Sequence, residues 1–255
     1  MELFHHPLAL LALAALFVPL ERRWPLRRAP WLREGWKTDV AHFFLTSPLQ
    51  KLGLVLVVGV VVAVVDPYRD SLVQRQPKAL QLVEALLLLE LIGYAMHRAF
   101  HEVPALWRIH AVHHSSEHLD WLAAVRAHPL EQVLTRGAQF LALTALGFPL
   151  AMFAGAAGVL GLWAIFLHAN VRLRLPLVEG LIATPAFHHW HHARAARGNY
   201  AGLFPWIDSL FHTNVTQPSW PNESGTDDPP AQSWWGQLTL RRPPRGEGRD
   251  RTAPV

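Results

Sequence analysis

Four apolar stretches constrain this chain of 255 residues more than any other feature. They are Leu3–Leu20, the run from about His42 to Val65 with its valine-rich part Leu52–Val65, Ala79–Met96, and Val133–Leu167. A helix that crosses a bilayer needs about 20 mainly apolar residues, and it satisfies its own backbone hydrogen bonds where lipid cannot. The fourth stretch is too long for one crossing at about 1.5 Å per residue. Gly147-Phe148-Pro149 interrupts it and predicts two helices joined by a tight turn. The expected fold is all-α: an integral membrane bundle of about four to five membrane helices, carrying a histidine-rich helical cap on its cytoplasmic side. Charged residues make up only 16% of the chain, well under the roughly one quarter usual in soluble domains.

The flanks of these stretches orient the bundle. No Lys or Arg precedes the first apolar run and Arg22 and Arg23 follow it, which does not fit a cleaved signal peptide. The basic cluster Arg22, Arg23, Arg27, Arg28, Arg33 and Lys37 belongs in the cytoplasm, so the N-terminus is expected outside. The Asp66–Lys78 loop and the Gly147–Pro149 turn then lie outside, and the histidine clusters and the C-terminus lie inside. Three regions are expected: residues 1–37 as a first membrane helix and basic loop, 38–213 as the catalytic domain, and 214–255 as a Pro/Arg-rich, largely disordered tail. Trp234-Trp235 in that tail is read as a contact with the membrane interface. Gly155, Gly158 and Gly161 follow no strand and are read as small residues for close helix packing.

Histidine is the second anomaly. There are 16 histidines and no cysteine, which excludes disulfide scaffolds, zinc fingers, thiolate iron–sulfur clusters and cysteine nucleophiles. His97 and His101 are four apart, while His110, His113 and His114 follow the spacing that His188, His191 and His192 repeat, with His189 beside them. Positions i, i+3 and i+4 share a helix face, so each group aims two or three imidazoles at one point, and imidazole suits Fe, Zn, Cu and Ni. Eight clustered imidazoles exceed the four ligands of a structural zinc site, so two metals are the economical reading. His5, His6, His42, His118 and His212 are read as ordinary interface or core residues. The clusters contain no Glu-x-x-His pair of the ferritin type and no His-Glu-x-x-His of a metalloprotease. Glu90, Tyr94, His97 and His101 form one stripe at spacings of 4, 3 and 4, and Glu90 is expected to accept an N–H from a ligating imidazole.

These boxes resemble those of the fatty acid hydroxylase / sterol desaturase superfamily of membrane di-iron oxygenases, from about Trp36 to Thr213. The surrounding phrases are similar too: Tyr94-Ala-Met-His-Arg, Leu106-Trp-Arg-Ile-His, Arg126-Ala-His-Pro-Leu-Glu, His168-Ala-Asn, Asn199-Tyr-Ala-Gly and Trp206-Ile-Asp-Ser-Leu-Phe-His-Thr. The resemblance implies two iron ions held by the eight box histidines, with His168 joining them and His128 as a tenth position. It also implies O2 as co-substrate and hydroxylation or desaturation of a lipid, whether fatty acyl, sterol-like or another isoprenoid. Asn170 and Tyr94 join Glu90 as expected supports of the ligands. Three positions depart from the family pattern: Arg172 stands where some relatives have histidine, His212 where glycine is frequent, and Glu90 where aspartate is frequent. Trp107, Trp121, Trp190 and Trp206 are read as a substrate entrance, against the alternative of an interfacial aromatic belt. With no haem, flavin or ferredoxin-like segment in sight, electrons are expected from a separate reductase or carrier. No nucleic-acid partner is expected. The alternatives are a divalent-metal transporter, whose site would sit near the midplane on repeated broken helices, and a non-catalytic lipid-binding relative.

Overall fold

A computed structural model describes residues 7–65, 71–194, 197–215 and 217–242. His5 and His6 lie outside the described residues. Among the described residues the regular elements are all helical: α1 (Pro7–Arg23), α2 (Trp36–Ala41), α3 (Ser47–Val64), α4 (Lys78–Glu102), α5 (Pro104–His110), α6 (Pro129–Ala145), α7 (Leu150–His168), α8 (Pro185–His191), α9 (Trp206–Leu210) and α10 (Trp234–Leu238). A π-helical turn over His42–Thr46 joins α2 to α3, so that Trp36–Val64 is one continuous helical run. Proline opens α5, α6 and α8, where the missing N–H costs nothing and the fixed φ favours the first turn. The break at Gly147-Phe148-Pro149 falls between α6 and α7 as expected, with Gly147 at φ 81.

Three helices are long and apolar enough to cross a membrane: Trp36–Val64, α4 and α7. Helices α1 and α6 have 17 residues each, the lower edge of what a crossing needs. The outward faces are apolar and exposed, as at Leu16, Leu56, Val60 and Leu162, which is the pattern lipid-facing helices require. The inward faces pack Ala85 and Leu89 of α4 against Phe140 and Leu143 of α6 and Phe153 and Ala156 of α7. Helix α1 lays Ala9, Leu13 and Phe17 against Phe43, Trp121 and Ile165.

Two sequence readings change here. A Cβ on Gly155, Gly158 or Gly161 would meet no neighbour within 4 Å, so these glycines do not bring helices together within this chain. That role falls to Gly53, where a Cβ would come within 2.6 Å of Val133 and force α3 away from α6. Part of the tail expected to be largely disordered, within residues 217–240, packs against the helices. Gln237 is fully buried, its Oε1 lies 2.7 Å from His42 Nε2, and its Nε2 donates to Ser115. Trp234 Nε1 donates to Thr46 while Trp235 is exposed. His42 is thus an ordinary packed residue, bonded between Gln237 and Thr46.

Candidate metal centre

The C-terminal end of α4 brings His97 and His101 beside His110 of α5, the turn after α5 adds His113 and His114, the end of α7 adds His168, and α8 and the residue after it add His188, His191 and His192. Their ligand atoms form two groups, each lying within 4.8 Å of one another: His97, His101, His110, His114 and His191 in one, His113, His168, His188 and His192 in the other. The repeated H-x-x-H-H spacing therefore divides between groups: His113 and His114 point to different ones, as do His191 and His192.

The nitrogens that face outward fix the nitrogens that face inward. His97 Nδ1–H donates to the Tyr200 carbonyl at 2.7 Å, His191 Nδ1–H to Gly198 at 2.8 Å, His113 Nδ1–H to Arg126 at 3.0 Å and His168 Nδ1–H to Ala164 at 2.7 Å. A carbonyl only accepts, so each of these imidazoles keeps its proton on Nδ1 and presents a bare Nε2 lone pair. Those lone pairs converge. His113 Nε2 and His168 Nε2 are 3.2 Å apart, with both Nδ1 protons already engaged. His97 and His110, and His114 and His191, meet through Nε2 at 3.1 and 3.0 Å. Two facing lone pairs repel unless a cation lies between them. Burial disfavours a proton in that role at several of these rings: burial, then neighbouring histidines, pushes His110, His114, His191 and His192 well below the usual imidazole range, and burial with His168 and His113 does the same for His188. Nitrogens about 2.1 Å from one ion at right angles would sit about 3.0 Å apart, so the spacing fits a metal. Nε2 of His101 and Nδ1 of His188 and His192 are buried with no hydrogen-bond partner among the described residues.

The carboxylates around the centre act differently from expectation. Glu90 makes no hydrogen bond to an imidazole among the described residues: its Oε2 accepts Leu203 N–H at 2.6 Å and Phe204 N–H at 3.3 Å. Asp208 accepts the N–H groups of Tyr200 and Ala201, both at 2.8 Å. Together they hold the loop whose carbonyls at Gly198 and Tyr200 orient His191 and His97. Gly198 has φ 142, and a Cβ there would fall 2.2 Å from the Thr213 carbonyl, so this turn requires glycine. The carboxylate nearest a cluster imidazole is Glu131, with Oε2 3.1 Å from His110 Nδ1. It lies in the Arg126-Ala-His-Pro-Leu-Glu phrase, so the signal was present. Arg126 itself is buried, orients His113 through its carbonyl, and donates from Nε to the buried Asp39, whose Oδ2 lies 2.7 Å from Arg33. Asp39 and Arg33 had no motif to reveal them.

Several predicted site residues lie elsewhere. His128 is the N-cap of α6, with Nδ1 accepting Leu130 N–H and Nε2–H donating to the Leu238 carbonyl, so the structure does not bring it to either group. His189 points away and donates to the Ala169 carbonyl. Asn170 ties Arg27 to the end of α7 through both polar atoms of its amide. Tyr94 meets Thr213 through its hydroxyl and stacks on Phe211. Of the four tryptophans, Trp107 lies against the cluster, 5.1 Å from the His101 ring. Trp121 stacks on Phe17 in the core, Trp190 donates to the Ser219 carbonyl, and Trp206 packs near Phe204. Tyr200, absent from the expected set, completes the aromatic wall 5.1 Å from His101.

Comparison with known proteins agrees with this geometry. The chain is 29% identical over 199 residues to ornithine lipid hydroxylase OlsE of Rhizobium tropici, covering 75% of this chain and 59% of the relative. It is 33% identical to the alkylglycerol monooxygenase of Homo sapiens over 47% of this chain and 27% of that one. To methylsterol monooxygenase 1 of Rattus norvegicus it is 31% identical over 48% of this chain and 42% of the relative. No solved structure matches. Residues 82–213, which carry every histidine of the two groups, match the fatty acid hydroxylase family model, and the chain belongs to that family.

Proposed function

We propose that the protein is a membrane-bound oxygenase that inserts oxygen into a lipid, using two iron ions held by the nine clustered histidines, O2, and two electrons from a separate carrier. The observation that carries the reading is the pair of Nε2 lone pairs on His113 and His168, 3.2 Å apart with both Nδ1 protons engaged. Bound iron would supply the activation of O2 that attack on an unactivated C–H bond requires.

The chain's own residues do the positioning. The carbonyls of Tyr200, Gly198, Arg126 and Ala164 lock imidazole tautomer and direction. Glu131 sits where it raises the basicity of His110. The absence of thiols leaves ligands that resist oxidation by the site's own chemistry. Trp107 and Tyr200 wall the five-histidine group with aromatic surface and limit the approach of water. The names of the relatives, a hydroxylase and monooxygenases, favour hydroxylation over desaturation. Our reading keeps the histidine groups on the cytoplasmic side, following the basic cluster after α1.

The test is lipid analysis of cells with and without the gene, alongside metal analysis of the purified protein. The expected result is a lipid heavier by one oxygen and about two irons per chain. Full activity in metal-free protein would overturn the proposal.

A further inference from the structure

A second feature lies outside the histidine groups. Beside the segment that follows α1, a cavity of about 600 Å³ is lined by Arg22, Arg27, Arg28, Trp31, Asp120 and His189, among others. That volume is in the range of ligand sites. Three guanidinium groups in this wall, those of Arg22, Arg27 and Arg28, have no carboxylate partner among the described residues. Arg22 donates to the Ala29 carbonyl and lies 4.2 Å over the Trp31 ring. Arg27, half-buried, donates from its side chain to the Pro221 carbonyl. The carboxylates nearby are engaged elsewhere. Asp120 takes two hydrogen bonds from Arg33 at 2.6 and 2.7 Å, and Glu21 accepts the backbone N–H groups of Trp121 and Asn170, both at 2.9 Å.

One half-buried guanidinium, that of Arg27, stands between the exposed Arg22 and Arg28 with donors to spare, and the forked geometry of such groups suits phosphate oxygens. The surroundings indicate which anion. Trp24, Trp31 and Leu32 are exposed around this segment, at the end of an apolar helix, a combination typical of the membrane interface. Basic pockets between membrane helices at that level take lipid headgroups. The cavity also shares a wall with the metal centre, because His189 sits on α8 between His188 and His191.

We propose that this cavity binds the phosphate of an anionic membrane lipid headgroup through Arg22, Arg27 and Arg28. The assignment rests on the reading of the chain as a membrane lipid enzyme, and names the charge class of lipid that it recruits.

The test uses the full chain in neutral-detergent micelles, titrated separately with phosphatidylglycerol, phosphatidylcholine and inorganic phosphate, with binding read by tryptophan fluorescence and native mass spectrometry. Phosphatidylglycerol is expected to bind at least ~10-fold more tightly than phosphatidylcholine. R27Q/R28Q should remove most of that preference, while R241Q/R242Q, which removes two exposed charges elsewhere, should leave it intact. R28Q alone covers the case in which the double variant fails to fold, because the Arg28 side chain makes no hydrogen bond among the described residues; a several-fold loss is expected. Equal affinity for the two lipids, or indifference to R28Q and R27Q/R28Q, would overturn the proposal. Displacement of phosphatidylglycerol by an equal concentration of inorganic phosphate would also overturn it, and would make the cavity a free-anion site. Binding is read without turnover: equal affinity for the two lipids in wild-type protein that keeps its iron and activity refutes the headgroup site alone, and selective binding by wild-type protein without activity refutes the proposed reaction alone.

Discussion

The two histidine groups are built from the same residue type and each draws on both H-x-x-H-H repeats, yet they are supported differently. The five-histidine group rests on the far end of the chain: His97 and His191 are aimed by carbonyls in the 198–204 loop, and His110 faces Glu131. The four-histidine group is aimed locally, His168 by the carbonyl four residues earlier on its own helix and His113 by Arg126. Its other two members, His188 and His192, have Nδ1 atoms without partners among the described residues. One group thus depends on loop packing and a carboxylate, the other on helix geometry and a buried arginine. A difference of this kind lets the two sites be perturbed one at a time.

The largest effect is expected from removing a ligand. His114→Ala should empty the five-histidine group and lower activity by at least ~100-fold, measured as iron content and lipid turnover together. A smaller, one-sided effect is expected from Glu131→Gln, which keeps the shape and removes the charge beside His110. Metal affinity of the five-histidine group should fall by about 10–100-fold, while the four-histidine group keeps its metal. Equal loss from both groups in a competition with chelator would erase the distinction drawn here. Glu90→Ala leaves the N–H groups of Leu203 and Phe204 without their acceptor, at a cost of about 1–3 kcal/mol. Hydrogen exchange should quicken at residues 198–204 before it changes at α7. The smallest effect concerns His212, which has φ 57 in the left-handed region and is exposed. His212→Gly should raise stability by up to about 1 kcal/mol in thermal unfolding, because only glycine adopts that backbone freely.

This last residue also shows how far sequence reasoning reached. The resemblance marked 212 as a departure from an expected glycine, and the left-handed backbone at His212 is one that glycine adopts freely. The apolar helices and the convergence of the eight box histidines were legible because both follow from the spacing of residues within one segment at a time. Glu90 was found by the same periodicity but given the wrong partner: a stripe predicts a shared face, not that Leu203 and Phe204 would reach the carboxylate first. Asp39 and Arg126 were not read as a pair because they lie 87 residues apart. The tail misled by composition. Proline and glycine between Pro218 and Gln237 do not reveal that Gln237 closes over His42 and Ser115.

The central claim is that the nine histidines make two metal sites rather than one. Iron per chain should be measured by elemental analysis in the wild-type protein, in His101→Ala and in His188→Ala, each reconstituted under the same conditions. The account predicts about two irons in the wild type and about one in each variant, with the remaining ion in a different group in each case. A wild-type value of one, or two irons retained in both variants, would contradict it.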